Sequence, residues 1–117
     1  MSYQDDIDNV FTPVVAGLQE NIDQVTTYQT WCNSLADGIS VADFCTALDA
    51  NSTAVLYCGE SSTMNDGVTD EHVASWIVKE KNWCTTTLAN LNELKSGYES
   101  TIAELQAKAN GTWTPPA

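Results

Sequence analysis

Arginine is missing from this chain, and only four lysines, Lys79, Lys81, Lys95 and Lys108, stand against sixteen acidic residues. A net charge of −12 repels phosphate backbones, which argues against nucleic acid as a partner. The same charge suits solubility, or attraction to a basic protein. Long hydrophobic runs are also missing. No stretch approaches the ~18–20 apolar residues that span a bilayer, so no membrane partner is expected. The first residues, Met1 to Asp6, lack the basic-then-apolar order of a signal peptide. The expectation is a chain that is either made in the cytoplasm unprocessed or shown in its mature form, with an extracellular or virion location favoured over a cytoplasmic one.

Histidine occurs once, at His72, which stands among Asp70 and Glu71 with no GxSxG and no nearby nucleophile. A hydrolytic triad would have to use this one ring, so a plain surface histidine is the stronger reading and no enzyme is expected. No CxxC occurs, which removes the common zinc-finger and thioredoxin-like patterns. The acidic segment Ser61 to Glu71 fails as a calcium loop. With Gly67 in the glycine position, Met64 and Val73 fall where oxygen ligands are required. No phosphate-binding glycine loop is present. Neither a metal nor a cofactor is therefore expected. Asn51-Ser52-Thr53 and Asn110-Gly111-Thr112 match the glycosylation sequon, which arises readily by chance in a Ser/Thr-rich chain.

What the chain does contain is a substantial hydrophobic fraction, 43%, with four tryptophans and four tyrosines in 117 residues. That is enough for a packed core and against intrinsic disorder. From Ile7 to Leu35 the apolar residues recur at helical spacing: Ile7, Phe11, Val14, Leu18, Val25, Tyr28, Cys32 and Leu35. Pro13 interrupts them. Either Thr12 caps a helix with Pro13 at its first position, or one longer helix is kinked there. Asp5, Asp6 and Asp8 complement a helix N-terminus better than they would bind a metal. Asp37-Gly38 reads as the C-terminal stop.

Ser40-Val41-Ala42-Asp43 resembles a capping box that opens a short amphipathic helix at 41–50, and Asn51-Ser52 is a second cap candidate. The run Thr53 to Cys58 reads as a helical turn and a half or a short strand, and helix is favoured because no second strand is available to pair with it. Thr69 opens the longest element. Through it run two seven-residue series: Ile77, Cys84, Leu91, Tyr98, Leu105, and Leu88, Lys95, Ile102, Ala109. Asn110-Gly111 ends it, and Pro115-Pro116 keeps the tail out of helix.

The reading is an all-α fold. An antiparallel pair of long helices, about 13–36 and 69–109, is capped by short helices as a small up-down bundle. Residues 1–109 form the helical domain and 110–117 an extended tail. The four cysteines, at 32, 45, 58 and 84, each follow an aromatic residue: Trp31, Phe44, Tyr57 and Trp83. An even count in a short chain favours two disulfides. Setting Cys32 level with Cys84 brings Phe11 opposite Leu105, Leu18 opposite Tyr98 and Tyr28 opposite Leu88. That leaves Cys45 to bond Cys58. A slip of seven residues preserves much of the apolar match, so the sulfurs alone select this register.

Ile7, Val10, Phe11, Val14 and Val15, with Leu18 and Ile22, make a stripe wider than a two-helix seam requires. These residues, with Trp113 as an anchor, are expected to contact another protein chain. The function expected is a non-enzymatic structural or adaptor subunit of a larger assembly, such as a virion, oligomeric or bound in a complex. An acidic inhibitor or immunity-type protein blocking a basic site comes second. A small carrier of an apolar ligand comes third.

Overall fold

The computed structural model describes residues 2–116. The chain is all-α, its two long helices pack antiparallel with short helices between them, and no strand occurs among the described residues. In chain order the elements are α1 (Tyr3–Asp6), a π-helical turn (Ile7–Phe11), α2 (Thr12–Ser34), α3 (Val41–Asp49), α4 (Ser52–Cys58), a 3-10 turn (Ser61–Thr63) and α5 (Asp70–Ala109).

The first helix begins ten residues earlier than position 13. Ser2 is its N-cap: the Ser2 hydroxyl accepts from the Asp5 N–H at 3.1 Å, and the Asp5 carboxylate accepts from the Ser2 N–H at 3.3 Å. That reciprocal pair satisfies two donors that a helix start otherwise leaves open. Helical geometry then runs unbroken from Tyr3 to Ser34, so Pro13 does not start a helix. The π-helical turn immediately before it is the reason. Pro13 cannot donate to the preceding turn and its ring crowds the carbonyl four residues back, and the wider turn over Ile7–Phe11 loosens the ladder at that place. The helix ends at Ser34, before the Asp37-Gly38 stop. Gly38, at φ +71°, turns the chain in the loop beyond it.

The other ends follow local chemistry. Ser40 caps α3 through the Asp43 N–H, and Asn51 caps α4 through the Ala54 N–H. Thr69 caps α5 with His72 as its reciprocal partner. The Thr69 hydroxyl accepts from the His72 N–H, and His72 Nδ1 accepts from the Thr69 N–H, both at 3.2 Å. The α5 C-terminus closes with a Schellman motif. Gly111 is left-handed at φ +73°, the Thr112 N–H donates to the Ala107 carbonyl at 2.8 Å, and the Gly111 N–H donates to Lys108 at 3.2 Å. Residues 112–116 have no regular structure, and Ala117, the last residue of the expected tail, lies outside the described residues, as does Met1.

The chain divides into two compact units. Unit 1 comprises residues 1–23 and 89–117, and unit 2 comprises residues 24–88. In unit 1 the Phe11 ring lies against Tyr98, with centroids 6.2 Å apart, and the Gln106 amide donates to the Gln4 side chain at 3.2 Å. Phe11 thus meets Tyr98, one heptad from Leu105, the residue placed opposite it by the cysteine-based alignment. Among the described residues of this unit only Ile7 and Ile22 are buried apolar side chains. Phe11, Leu18, Leu91, Tyr98, Ile102 and Leu105 are half-buried.

Unit 2 holds the core proper. Val25, Tyr28, Trp31, Cys32, Leu35, Phe44, Leu48, Ala54, Val73, Ile77 and Cys84 are all buried. Here α3, α4 and the 59–69 loop supply a third side to the two long helices. Asp70, in the first turn of α5, accepts from the Val41 N–H at 2.8 Å and so satisfies a free donor of α3. Asp49, at the end of α3, accepts from both the N–H and the hydroxyl of Ser61, which ties the loop down. Those Ser61 bonds hold the Asp49 carboxyl below its usual range.

Candidate functional site

Three of the four aromatic residues that precede the cysteines converge in unit 2 around one phenol. Tyr28 is fully buried, stacks on Tyr57 at 4.5 Å and on Trp31 at 5.9 Å, and receives Trp83 edge-on at 6.3 Å. Trp31 continues to Phe44 at 6.0 Å, and Phe44 meets Trp76 in a T-shaped contact at 5.4 Å. Such offset and edge-to-face pairs add to area burial about 0.5–1.5 kcal/mol each. The Trp31 indole N–H donates to the Ala47 carbonyl, so its polar edge is satisfied where it is buried.

The Tyr28 hydroxyl donates to Glu80 Oε1 at 2.7 Å and lies 3.1 Å from Cys58 Sγ. A phenol has one proton, so with that proton on Glu80 the Cys58 thiol is the donor to the Tyr28 oxygen. The Cys32 and Cys84 side chains also interact with one another. Cys45 stands apart, its thiol 3.7 Å from the Met64 sulfur. Sequence spacing paired Cys32 with Cys84 and Cys45 with Cys58. The first two meet, whereas Cys45 and Cys58 each engage a different partner, and all four are free thiols here.

These surroundings keep the Cys32, Cys58 and Cys84 thiols protonated. Burial pushes Cys32 up to about 11, with the adjacent Tyr28 hydroxyl opposing and the Cys84 and Glu80 charges adding to the rise. Burial raises Cys58 and Cys84 as well, and the nearby Glu80 carboxylate works in the same direction. Burial drives Tyr28 upward too, helped by its hydrogen bonds to Cys58 and Glu80. A neutral, buried thiol is a poor nucleophile and a poor metal ligand. No group of three or more His, Cys, Asp or Glu side chains is placed to hold a metal ion among the described residues.

Beside this cluster unit 2 carries a pocket of about 450 Å³, bordered by Phe44 of α3, Tyr57 of α4, Met64 of the loop, and His72, Trp76 and Glu80 of α5. Its volume falls in the ~300–1,000 Å³ range of small-molecule sites. Sequence patterning missed it. Glu80 sits between Lys79 and Lys81 and reads as one charge of a solvated helix face. Only the approach of α3, α4 and the loop turns that face into a wall.

The residues expected at a protein interface are scattered in exposure. Ile7 is buried within unit 1, at 4%, and is taken up by packing inside the chain. Phe11 and Val15 are half-buried, while Val10 is 45% and Val14 37% exposed. Trp113 is 36% exposed, with the Lys108 ammonium 4.5 Å above its ring and 5.9 Å from that of Tyr3. That contact docks the tail on the end of α5. Leu94 of α5 is 53% exposed. No helix is long and apolar enough to cross a membrane among the described residues. Asn51 and Asn110 of the two sequons use their side-chain oxygens within the chain, accepting from Ala54 and Gln106. No protein-family model, curated protein or solved structure matches this chain.

Proposed function

We propose that the protein is a non-enzymatic structural or adaptor subunit that works through helix-mediated contacts with other protein chains. The observation that carries this reading is the unfinished core of unit 1. Two helices alone cannot enclose a seam on all sides, and this one leaves most of its large apolar side chains half-buried, with Val10, Val14 and Leu94 exposed beside them. A helix or helices from another subunit would remove that surface from water, at roughly 25 cal/mol for each Å² of apolar area. The basis for an assembly such as a virion remains the sequence pattern, to which unit 1 adds a surface.

Sedimentation velocity of the purified protein across a hundredfold concentration range tests this, alone and in lysate from its source. Association is expected, and Val10→Glu with Val14→Glu should abolish it while leaving helicity intact. A strictly monomeric chain with no companion at any concentration would sink the proposal.

A second reading, a small carrier, is favoured by one observation, the apolar pocket of unit 2. Native mass spectrometry of freshly purified protein tests it through the mass of any small molecule carried along.

A further inference from the structure

The pocket of unit 2 has an uneven chemistry. Its walls are aromatic and thioether surface from Phe44, Tyr57, Trp76 and Met64, yet Glu80 stands among them. That carboxylate is engaged through one oxygen only. Oε1 accepts the Tyr28 proton, and no other hydrogen bond and no cation reaches Glu80 among the described residues. His72, the other ionisable group on α5 that borders the pocket, has Nδ1 occupied as the acceptor for the Thr69 N–H. A carboxylate with no cation partner among the described residues therefore faces a cavity whose walls present ring surface.

We infer that this pocket binds an organic ammonium ion with an apolar body, the cationic head against Glu80 and the aromatic rings, and the body against Met64 and the apolar floor. The inference rests on the carrier reading and specifies its ligand. Three physical considerations select this class. Aromatic faces are the negative ends of ring quadrupoles, and Trp, Tyr and Phe surfaces attract a weakly hydrated alkylammonium more than they attract water. A half-buried carboxylate gains from a cation that brings little hydration shell with it. An inorganic divalent ion needs six or more oxygens, and the pocket offers one carboxylate. An anionic ligand would meet Glu80 and a chain of net charge −12. Tyr28 acts as the positioning group, because its hydrogen bond fixes the Glu80 carboxylate from the core side and leaves Oε2 for the ligand.

The test uses benzyltrimethylammonium and its neutral carbon isostere, neopentylbenzene, titrated into the full chain and followed by Trp fluorescence and by NMR shifts of Trp76. The expected result is binding of the cation with roughly a tenfold preference over the isostere. Glu80→Gln keeps an acceptor for Tyr28 and should abolish that preference without altering isostere binding. Trp76→Leu, which retains bulk but loses the ring face, should reduce it even if Glu80→Gln folds poorly. Glu20→Gln, in unit 1, controls for general attraction to an acidic chain and should change nothing. Equal binding of the two probes, or an unaltered preference in Glu80→Gln, overturns the cation assignment and leaves the carrier reading standing. Binding of neither probe overturns both.

Discussion

The Tyr28 hydroxyl and the Glu80 carboxylate, 52 positions apart in sequence, meet at 2.7 Å where α2 faces α5. Tyr28 is in contact with three rings, a thiol and this carboxylate. Removing its oxygen isolates the effect of the polar contact from that of the ring. Tyr28→Phe is expected to cost ~1.5–3 kcal/mol in urea unfolding, the range for a hydrogen bond to a charged partner. The double variant with Glu80→Gln should cost less than the two single changes combined, because the pair acts as a unit. Additive costs would show that the two groups do not support one another.

Alkaline pH should weaken the fold. Cys32 titrates near 11 in the folded chain and at about 8.5 when unfolded, so the folded state holds its proton more tightly. Its contribution is fully present below the unfolded value and is lost as pH rises from about 9 to 11. Tyr28, Cys58 and Cys84 are raised as well and act in the same direction. Denaturant midpoints measured from pH 7 to 11 should therefore fall above pH 9, and Cys32→Ala should flatten the decline. A flat profile to pH 11 would contradict the burial of these groups.

Thiol reactivity should be graded by burial. Cys45, half-buried and bonded only to Met64, is expected to be alkylated first by iodoacetamide at pH 8. Cys32 and Cys84, both fully buried, should be labelled last. Peptide mapping across a time course reads the order. Equal labelling of all four would place unit 2 in rapid local unfolding.

Diamide oxidation should join Cys32 to Cys84 before any other pair, since those side chains already interact. In the chain-entropy model the bridge would stabilise by about 4 kcal/mol for a loop of this length. A non-reducing peptide map identifies the partners. A dominant Cys32–Cys58 link would show that the thiols around Tyr28 exchange neighbours.

The α5 start offers a local test. Thr69→Ala and His72→Ala should each cost ~1 kcal/mol, and the two together should cost less than the sum, since each side chain caps for the other. Amide exchange at Val73 and its neighbours should rise in both variants. Unchanged protection would mean that Asp70, through its bond to Val41, anchors this end without the cap.

What the amino-acid sequence determined by itself is the set of elements whose causes are local. Ser40, Asn51 and Thr69 each cap the helix they precede, and Asn110-Gly111 closes α5, because caps and left-handed glycines act within one turn of the chain. The helical period from Ile7 to Leu35 and the heptads from Ile77 to Leu105 likewise fixed an all-α fold with two long helices. The start of the first helix was hidden behind Pro13, whose effect depends on whether the preceding turn is α or π. Tertiary structure alone could decide the register, since a seven-residue repeat matches itself after a seven-residue slip, and there Cys32 meets Cys84 while Phe11 meets Tyr98. It also decided the site. Tyr28 and Trp76 carry helical periodicity like any core residue, and Glu80 lies between two lysines like any surface charge. Their chemistry arises where α2, α3, α4 and α5 come together, and no pattern within one helix encodes which distant face will cover another.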